Sequence, residues 1–208
     1  MKINSIFTAG LLFFLGAADS MAVKIGEVAP DFTLTSCEGK TVKLSDYKDK
    51  IVVLEWFNMG CPFTERHYKK GHMQSLQSKY AEKEVVWLLI NSTNPKHGNY
   101  RSLEKLVKEV KQHDIKCTAL LVDSDGKVGR LYEAKTTPHM FVVDAKGNLA
   151  YQGAIDDDGS FLSGNPAKAK NYVCLALDEL IAGKPVTKAE TRPYGCGVKY
   201  SDPPPLRP

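Results

Sequence analysis

No Cys-x-x-Cys pair occurs among the five cysteines, Cys37, Cys61, Cys117, Cys174 and Cys196. That absence argues against a structural zinc knuckle. No block of like charge is present either. The net charge of +4 is spread along 208 residues, which argues against a dedicated nucleic-acid binder. Beyond Leu15 there is no second long apolar run, so the mature chain is expected to be soluble, with no stable membrane association. Internal repeats and coiled-coil heptads are also missing. What remains is a chain of 43% hydrophobic content, enough for one good core and a single decorated domain. Five is an odd number of thiols, so at least one is free or paired with another molecule.

The first 22 residues read as a secretory signal. Lys2 supplies a positive start, Ile6 to Leu15 an apolar centre, and Gly16-Ala17-Ala18 or Ser20-Met21-Ala22 a small-residue cleavage site. An uncleaved anchor, or a true start at Met21, are the alternatives. Cleavage implies a periplasmic or secreted protein, in which disulfides are allowed.

The organising stretch is Ile51 to Tyr68, IVVLEWFNMGCPFTERHY. It predicts a buried strand, a turn at Asn58-Met59-Gly60, and a helix starting after Cys61. Pro62 suits the first helical position, where its fixed φ helps and its missing N–H costs nothing. Cys61 then stands at a helix N-cap. Free backbone N–H groups and the positive helix end stabilise a thiolate there. The helix is expected to run to about Lys83, weakened at Gly71.

Elsewhere the pattern alternates. Phe32–Leu34 and Thr41–Leu44 flank Glu38-Gly39-Lys40 as a β-hairpin with Cys37 at its turn. Glu84 to Ile90 is a strand covered on both faces. Leu103, Leu106, Val107 and Val110 mark a helix, with Glu104–Lys108 and Lys105–Glu109 as surface pairs. Thr118 to Val122 is a strand, ended by Asp123-Ser124-Asp125-Gly126. That turn lacks the later ligands of a calcium loop. A short helix around Val128, Leu131 and Tyr132 precedes Thr137-Pro138. Met140–Val143 and Leu149–Gln152 form a second hairpin. Asp156-Asp157-Asp158 reads as a solvated loop. A last helix is expected to start at Asn165-Pro166, to bury Val173, Leu177, Leu180 and Ile181, and to stop at Gly183. Cys174 borders that stripe as an inert thiol. This order implies an α/β layer structure with a mixed sheet.

Taken together, Gly26-Glu27-Val28-Ala29-Pro30-Asp31-Phe32, the strand into Cys61-Pro62-Phe63, Thr137-Pro138 and Gly195-Cys196-Gly197-Val198-Lys199 resemble the thioredoxin superfamily. More narrowly, they resemble its peroxiredoxin-like group, the redoxin or AhpC/TSA proteins. The likeness spans Val23 to Tyr200. It implies a thioredoxin-like fold, a mixed β-sheet with helices on both faces and an N-terminal β-hairpin. The chain is thus expected to divide into a signal segment at residues 1–22, one domain at 23–183 and an extended tail at 184–208.

On the thioredoxin pattern, Cys61 is the nucleophile and Thr64 occupies the resolving position. Glu55 falls where a buried acid lies under the site. Burial raises a carboxyl pKa and lets it manage protons near neutrality; pairing with a nearby lysine is the structural alternative. Thr137-Pro138 matches the cis-proline step, beside which an extended substrate strand can pair. In true peroxiredoxins a proline and a Thr or Ser precede the cysteine; here those positions hold Leu54 and Asn58. Thr64 cannot close a disulfide, so a different thiol must resolve one. Cys196, between two glycines on a long tail, is the candidate, since a longer loop adds little closure penalty. A structural bond from Cys196 to Cys37 or Cys117, or a free tail thiol, are alternatives.

Among His67, His72, His97, His113 and His139, the last follows Pro138 and could lie near Cys61; Glu65 stands where related copper-chaperone domains have a second cysteine, which argues against a copper or zinc site of Cys61, Glu65 and His139. No metal and no cofactor is expected, and these histidines read as surface residues or polar caps. The expected function is an exported thiol–disulfide oxidoreductase with one nucleophilic cysteine. Its expected partners are protein or small-molecule disulfides, or peroxides, and an external thiol reductant. The alternatives are a thiol peroxidase and a non-catalytic binding or metal-handling module on the same scaffold.

Overall fold

The computed structural model describes residues 23–160, 165 and 168–201. The expected signal at residues 1–22, Pro166 and the proline-rich end at 202–208 lie outside the described residues. In chain order the elements are β1 (Thr33–Ser36), β2 (Thr41–Lys43), a 3-10 turn (Leu44–Tyr47), β3 (Val52–Trp56), α1 (Pro62–Lys69), α2 (His72–Ala81) and β4 (Val86–Asn91). Then follow α3 (Leu103–Gln112), β5 (Ala119–Val122), α4 (Lys127–Leu131), β6 (Thr136–Thr137), β7 (His139–Val143), β8 (Leu149–Gly153), α5 (Tyr172–Ile181) and β9 (Cys196–Gly197).

Seven strands form one sheet in the order β2-β1-β5-β4-β3-β7-β8, and β6 pairs with β9 in a separate ladder. The three central strands β3, β4 and β5 are parallel, and β7 returns antiparallel to β3. Parallel strands need covered faces, hence the near-continuous apolar runs. Alternate side chains feed two cores. Val53, Trp87, Leu89, Met140 and Val142 pack with Tyr68, Met73, Tyr80, Leu106, Val173 and Leu177 under α1, α2, α3 and α5. Val52, Leu54, Trp56, Leu88, Ile90 and Phe141 pack on the other side with Phe32, Val128 and Tyr132. The period-2 pattern points Glu55 into the first core, between Leu54 and Trp56, which face the second.

Gly71 takes φ 75° and splits the expected long helix into α1 and α2. Only glycine adopts that region freely. The last helix begins later than expected. Asn171, not Asn165, is its N-cap and accepts from Cys174 N at 2.8 Å, because Asn171 directly precedes the buried face of Val173, Ala176 and Leu177. Ile181 and Leu103 are exposed, so each apolar stripe is shorter than the sequence suggests. Glu109 is not a surface partner of Lys105; it is buried and pairs with Arg101 at 3.0 Å.

The extended tail is docked on the domain. Residues 189–191 run beside β8, with Gln152 N donating to Ala189 O at 2.9 Å and Thr191 N donating to Gln152 O at 3.0 Å. The chain then forms β9. Tyr200 OH ends the path by donating to Ala134 O at 2.8 Å, with the Arg130 guanidinium over its ring at 4.6 Å.

Candidate active site

The strand-to-helix step places Cys61. Asn58 Oδ1 accepts from Gly60 N at 2.7 Å, and Asn58 O accepts from Cys61 N at 2.9 Å. This closes a tight turn. Asn58 Nδ2 donates to Thr93 Oγ1 at 2.7 Å and pins the turn to the segment after β4. Cys61 is the N-cap of α1, with Pro62 in its first turn. Its Sγ donates to Thr137 O at 2.8 Å. The Thr137–Pro138 bond is cis.

β9 lies on β6 in the register Thr136↔Gly197 and Thr137↔Cys196. Cys196 is thereby brought to Cys61. Burial opposes ionisation of Cys61. Hydrogen bonds from the Thr137 side chain, from the Cys196 thiol and from the Thr64 and Cys196 backbone N–H outweigh it and hold the thiol below its ordinary value. For Cys196 the effects add. Burial, and then the hydrogen bond and charge of Cys61, push it up to about 11, against a smaller opposing effect of Lys199. An acidic and a reluctant thiol thus stand side by side.

Cys61 itself is buried, 2% exposed, whereas an exchange site calls for an accessible sulfur. It belongs to neither apolar core. Its cover includes the tail strand. The niche beside it is lined by Asn58, Ser92, Thr93, Thr137, Cys196 and Lys199 and measures about 10 Å³, roughly the space of one water.

Glu55 sits apart from this group. It is completely buried, accepts from Trp87 Nε1 at 2.9 Å and from Tyr68 OH at 3.0 Å. Burial pushes its carboxyl up to about 7, against the opposing hydrogen bonds. Thr64 is buried, and its Oγ1 has no hydrogen-bond partner among the described residues; its backbone N–H serves Cys61. Cys37 and Cys117 line a different cavity, of about 160 Å³, and burial raises both thiols, Cys117 to about 12. Burial likewise raises the Cys174 thiol.

Two histidines are not surface residues. His139 and His67 are buried, and burial pushes each ring down to about 3. Among the described residues no three His, Cys, Asp or Glu side chains converge as a metal set. Asp156 is buried rather than solvated. It meets Tyr194, Arg66 and His67 in a polar cluster that sequence reasoning missed. The only available signals were adjacency: Arg66 and His67 lie five and six residues past Cys61, and Tyr194 lies two residues before Cys196.

A helix-capping cysteine facing the carbonyl that precedes a cis proline, on a mixed sheet of this order, defines a protein of the thioredoxin-like fold. The chain belongs to the AhpC/TSA family, whose model matches residues 25–152. It is 30% identical over 129 residues to the thiol-disulfide oxidoreductase ResA of Bacillus thuringiensis subsp. konkukian, covering 61% of this chain and 68% of that one. It is 27% identical over 166 residues to the peroxiredoxin Bcp of Bacillus subtilis, covering 77% of this chain and 96% of that one. Among solved structures, an uncharacterized conserved protein from Geobacillus kaustophilus superimposes with a TM-score of 0.77 at 27% identity, covering 86% and 93% of the two chains.

Proposed function

We propose that the protein is a thiol–disulfide oxidoreductase in which Cys61 attacks and Cys196 resolves, so that the tail from residue 184 onward is part of the site. The observation that carries this reading is the Thr137↔Cys196 pairing, which sets the tail thiol beside the thiol that bonds Thr137 O. The Cys61 thiolate attacks one sulfur of a substrate disulfide, forms a mixed disulfide and expels the other sulfur as a thiolate. The Cys196 thiolate then attacks Cys61 Sγ, forms the Cys61–Cys196 bond and expels the second substrate thiolate. An external thiol reductant returns the pair to two thiols. Substrates are protein or small-molecule disulfides, and the protein acts in the periplasm or outside the cell, where the expected signal segment would deliver it. An organic disulfide is far larger than the niche beside Cys61, so the tail strand must lift to admit one.

The narrow niche favours a second reading, in which the oxidant is a hydroperoxide. Cys61 would take one peroxide oxygen to become a sulfenic acid, releasing an alcohol or water. Cys196 would then condense with it to the same disulfide and a water. Kinship with a named peroxiredoxin supports this reading as well.

Alkylation of Cys61 against pH, with mass analysis of the oxidised products, tests both. The expected results are a midpoint below the free-thiol value of about 8.5 and a Cys61–Cys196 disulfide. Competition between a disulfide and a peroxide separates the two oxidants. Peptide maps that join Cys196 elsewhere, or a Cys61 titrating like free cysteine, would overturn the assignment. In a Cys196→Ser variant the mixed disulfide on Cys61 should persist.

A further inference from the structure

Tyr194 lies two residues before Cys196; it is half-buried, and its hydroxyl is bonded on three sides. It donates to Asp156 Oδ1 at 2.5 Å and receives from His67 Nε2 at 3.1 Å and Arg66 Nη2 at 3.3 Å. The single hydroxyl proton goes to Asp156, so His67 must carry its proton on Nε2. The rings add to this. The Arg66 guanidinium lies 5.4 Å from the Tyr194 ring centroid, His67 stacks on that ring at 6.4 Å, and Phe63 leans against it at 6.1 Å. Arg66 also donates to the carbonyls of Asp158 and Ser160.

Three parts of the chain meet here. Phe63, Arg66 and His67 belong to α1, the helix that Cys61 caps. Asp156 follows β8. Tyr194 belongs to the tail. From Tyr194 the chain steps through Gly195, whose φ of 137° is open to glycine and strained for other residues. A side chain there would run into Thr137 O, so the tail passes flush against the carbonyl that Cys61 bonds. Two residues span at most about 7 Å, so holding Tyr194 holds Cys196.

We propose that Asp156, Tyr194, His67 and Arg66 form a clasp that positions the resolving thiol, locking the tail to the helix that carries the attacking one. The inference rests on the reading of Cys196 as the resolving residue. These are positioning residues; none touches a sulfur. The tail has separate anchors beyond Cys196, where Asn94 N donates to Lys199 O at 2.8 Å and Tyr200 OH bonds Ala134 O. Loss of the clasp therefore misplaces Cys196 without freeing the whole tail. A displacement of about 1 Å can cost roughly 100-fold in a step that depends on alignment. The clasp also helps keep the tail over Cys61, so loosening it eases entry of a bulky disulfide.

The clasp thus affects the two half-steps in opposite directions, and dithiodipyridine separates them. Attack on Cys61 releases one pyridinethione and leaves an adduct; resolution by Cys196 releases a second. In full-length Tyr194→Phe the second release should slow about 10- to 100-fold, the first should be unchanged or faster, and the Cys61 adduct should accumulate in acid-quenched mass spectra. Asp156→Asn, which keeps the Tyr194 ring packing, should show the same split and stands in if Tyr194→Phe fails to fold. A second release at the wild-type rate in a folded variant of each kind overturns the clasp. A wild-type protein that forms no Cys61 adduct, or never releases the second thione, instead overturns the oxidoreductase reading beneath it.

Discussion

Thr137 touches both sulfur-bearing residues: its carbonyl accepts from Cys61 Sγ at 2.8 Å, and its backbone pairs with Cys196. The charge on one thiol therefore governs the other. While Cys61 is a thiolate it suppresses ionisation of Cys196. In the proposed cycle, a mixed disulfide on Cys61 would remove that charge and make Cys196 the better nucleophile at the step that needs it.

Removing the first sulfur should expose this coupling. In Cys61→Ala the alkylation midpoint of Cys196 is expected to fall below the value of about 11 in the intact site. Burial remains, so the fall should be partial. A midpoint that does not move would mean that burial alone sets it.

Thr64 can be turned into a competitor. Thr64→Cys creates Cys-Pro-Phe-Cys at the start of α1, with a three-residue step in place of a tail. Oxidised Thr64→Cys is expected to carry a local bond to Cys61, and adding Cys196→Ser should then leave exchange intact. Peptide mapping of the oxidised double variant checks this. Continued use of Cys196 in the single variant would show that the tail thiol is better aligned than the helix position.

Glu55 makes a pH-dependent contribution to stability whose sign is fixed. Its folded-state pKa of about 7 lies above the ordinary value of 4.5, so folding favours the protonated form. That contribution is complete below about 4.5 and is lost as pH rises through about 7, by roughly 3 kcal/mol. Glu55→Gln removes the dependence. Urea titrations at pH 4.5 and 8 should show the variant gaining on the wild type at the higher pH. If the variant also exchanges disulfides at the wild-type rate near neutrality, Glu55 has no role as proton manager.

His139 acts in the opposite direction. Burial holds it neutral, with a folded-state pKa of about 3 against 6.5, while its Nδ1 accepts from Lys135 N at 3.2 Å. Its contribution is present above about 6.5 and is lost as pH falls towards 3, by something on the order of 3–5 kcal/mol. His139→Asn keeps an acceptor near Nδ1 and should flatten the acid limb of the stability curve. An unchanged acid midpoint would show that other buried groups, His67 among them, dominate.

The sheet was legible because it is buried twice over. Val52 to Trp56 and Val86 to Asn91 carry apolar runs suited to strands covered on both faces, and Pro62 marks the helix start independently of its neighbours. The position of Cys61 follows from those local rules. The helix register near Asn165 did not, because either of two asparagines could cap and only packing of Val173, Ala176 and Leu177 chooses. The polar cluster was invisible for a different reason. Arg66, His67, Asp156 and Tyr194 are each ordinary surface types, and only docking of the tail brings residues 128 positions apart within 3.3 Å. The burial of Cys61 has the same origin, since its cover comes from the far end of the chain.

The run of the tail along Gln152 has a consequence for handling the protein. β8 is the last strand of the sheet, and Ala189 and Thr191 satisfy the Gln152 N–H and carbonyl at that margin. A chain cut before Ala189 to discard Cys196 would bare those groups. Unpaired strand margins recruit other strands, so such a truncate is expected to associate with itself. A single serine at position 196 silences the sulfur and leaves that shield in place.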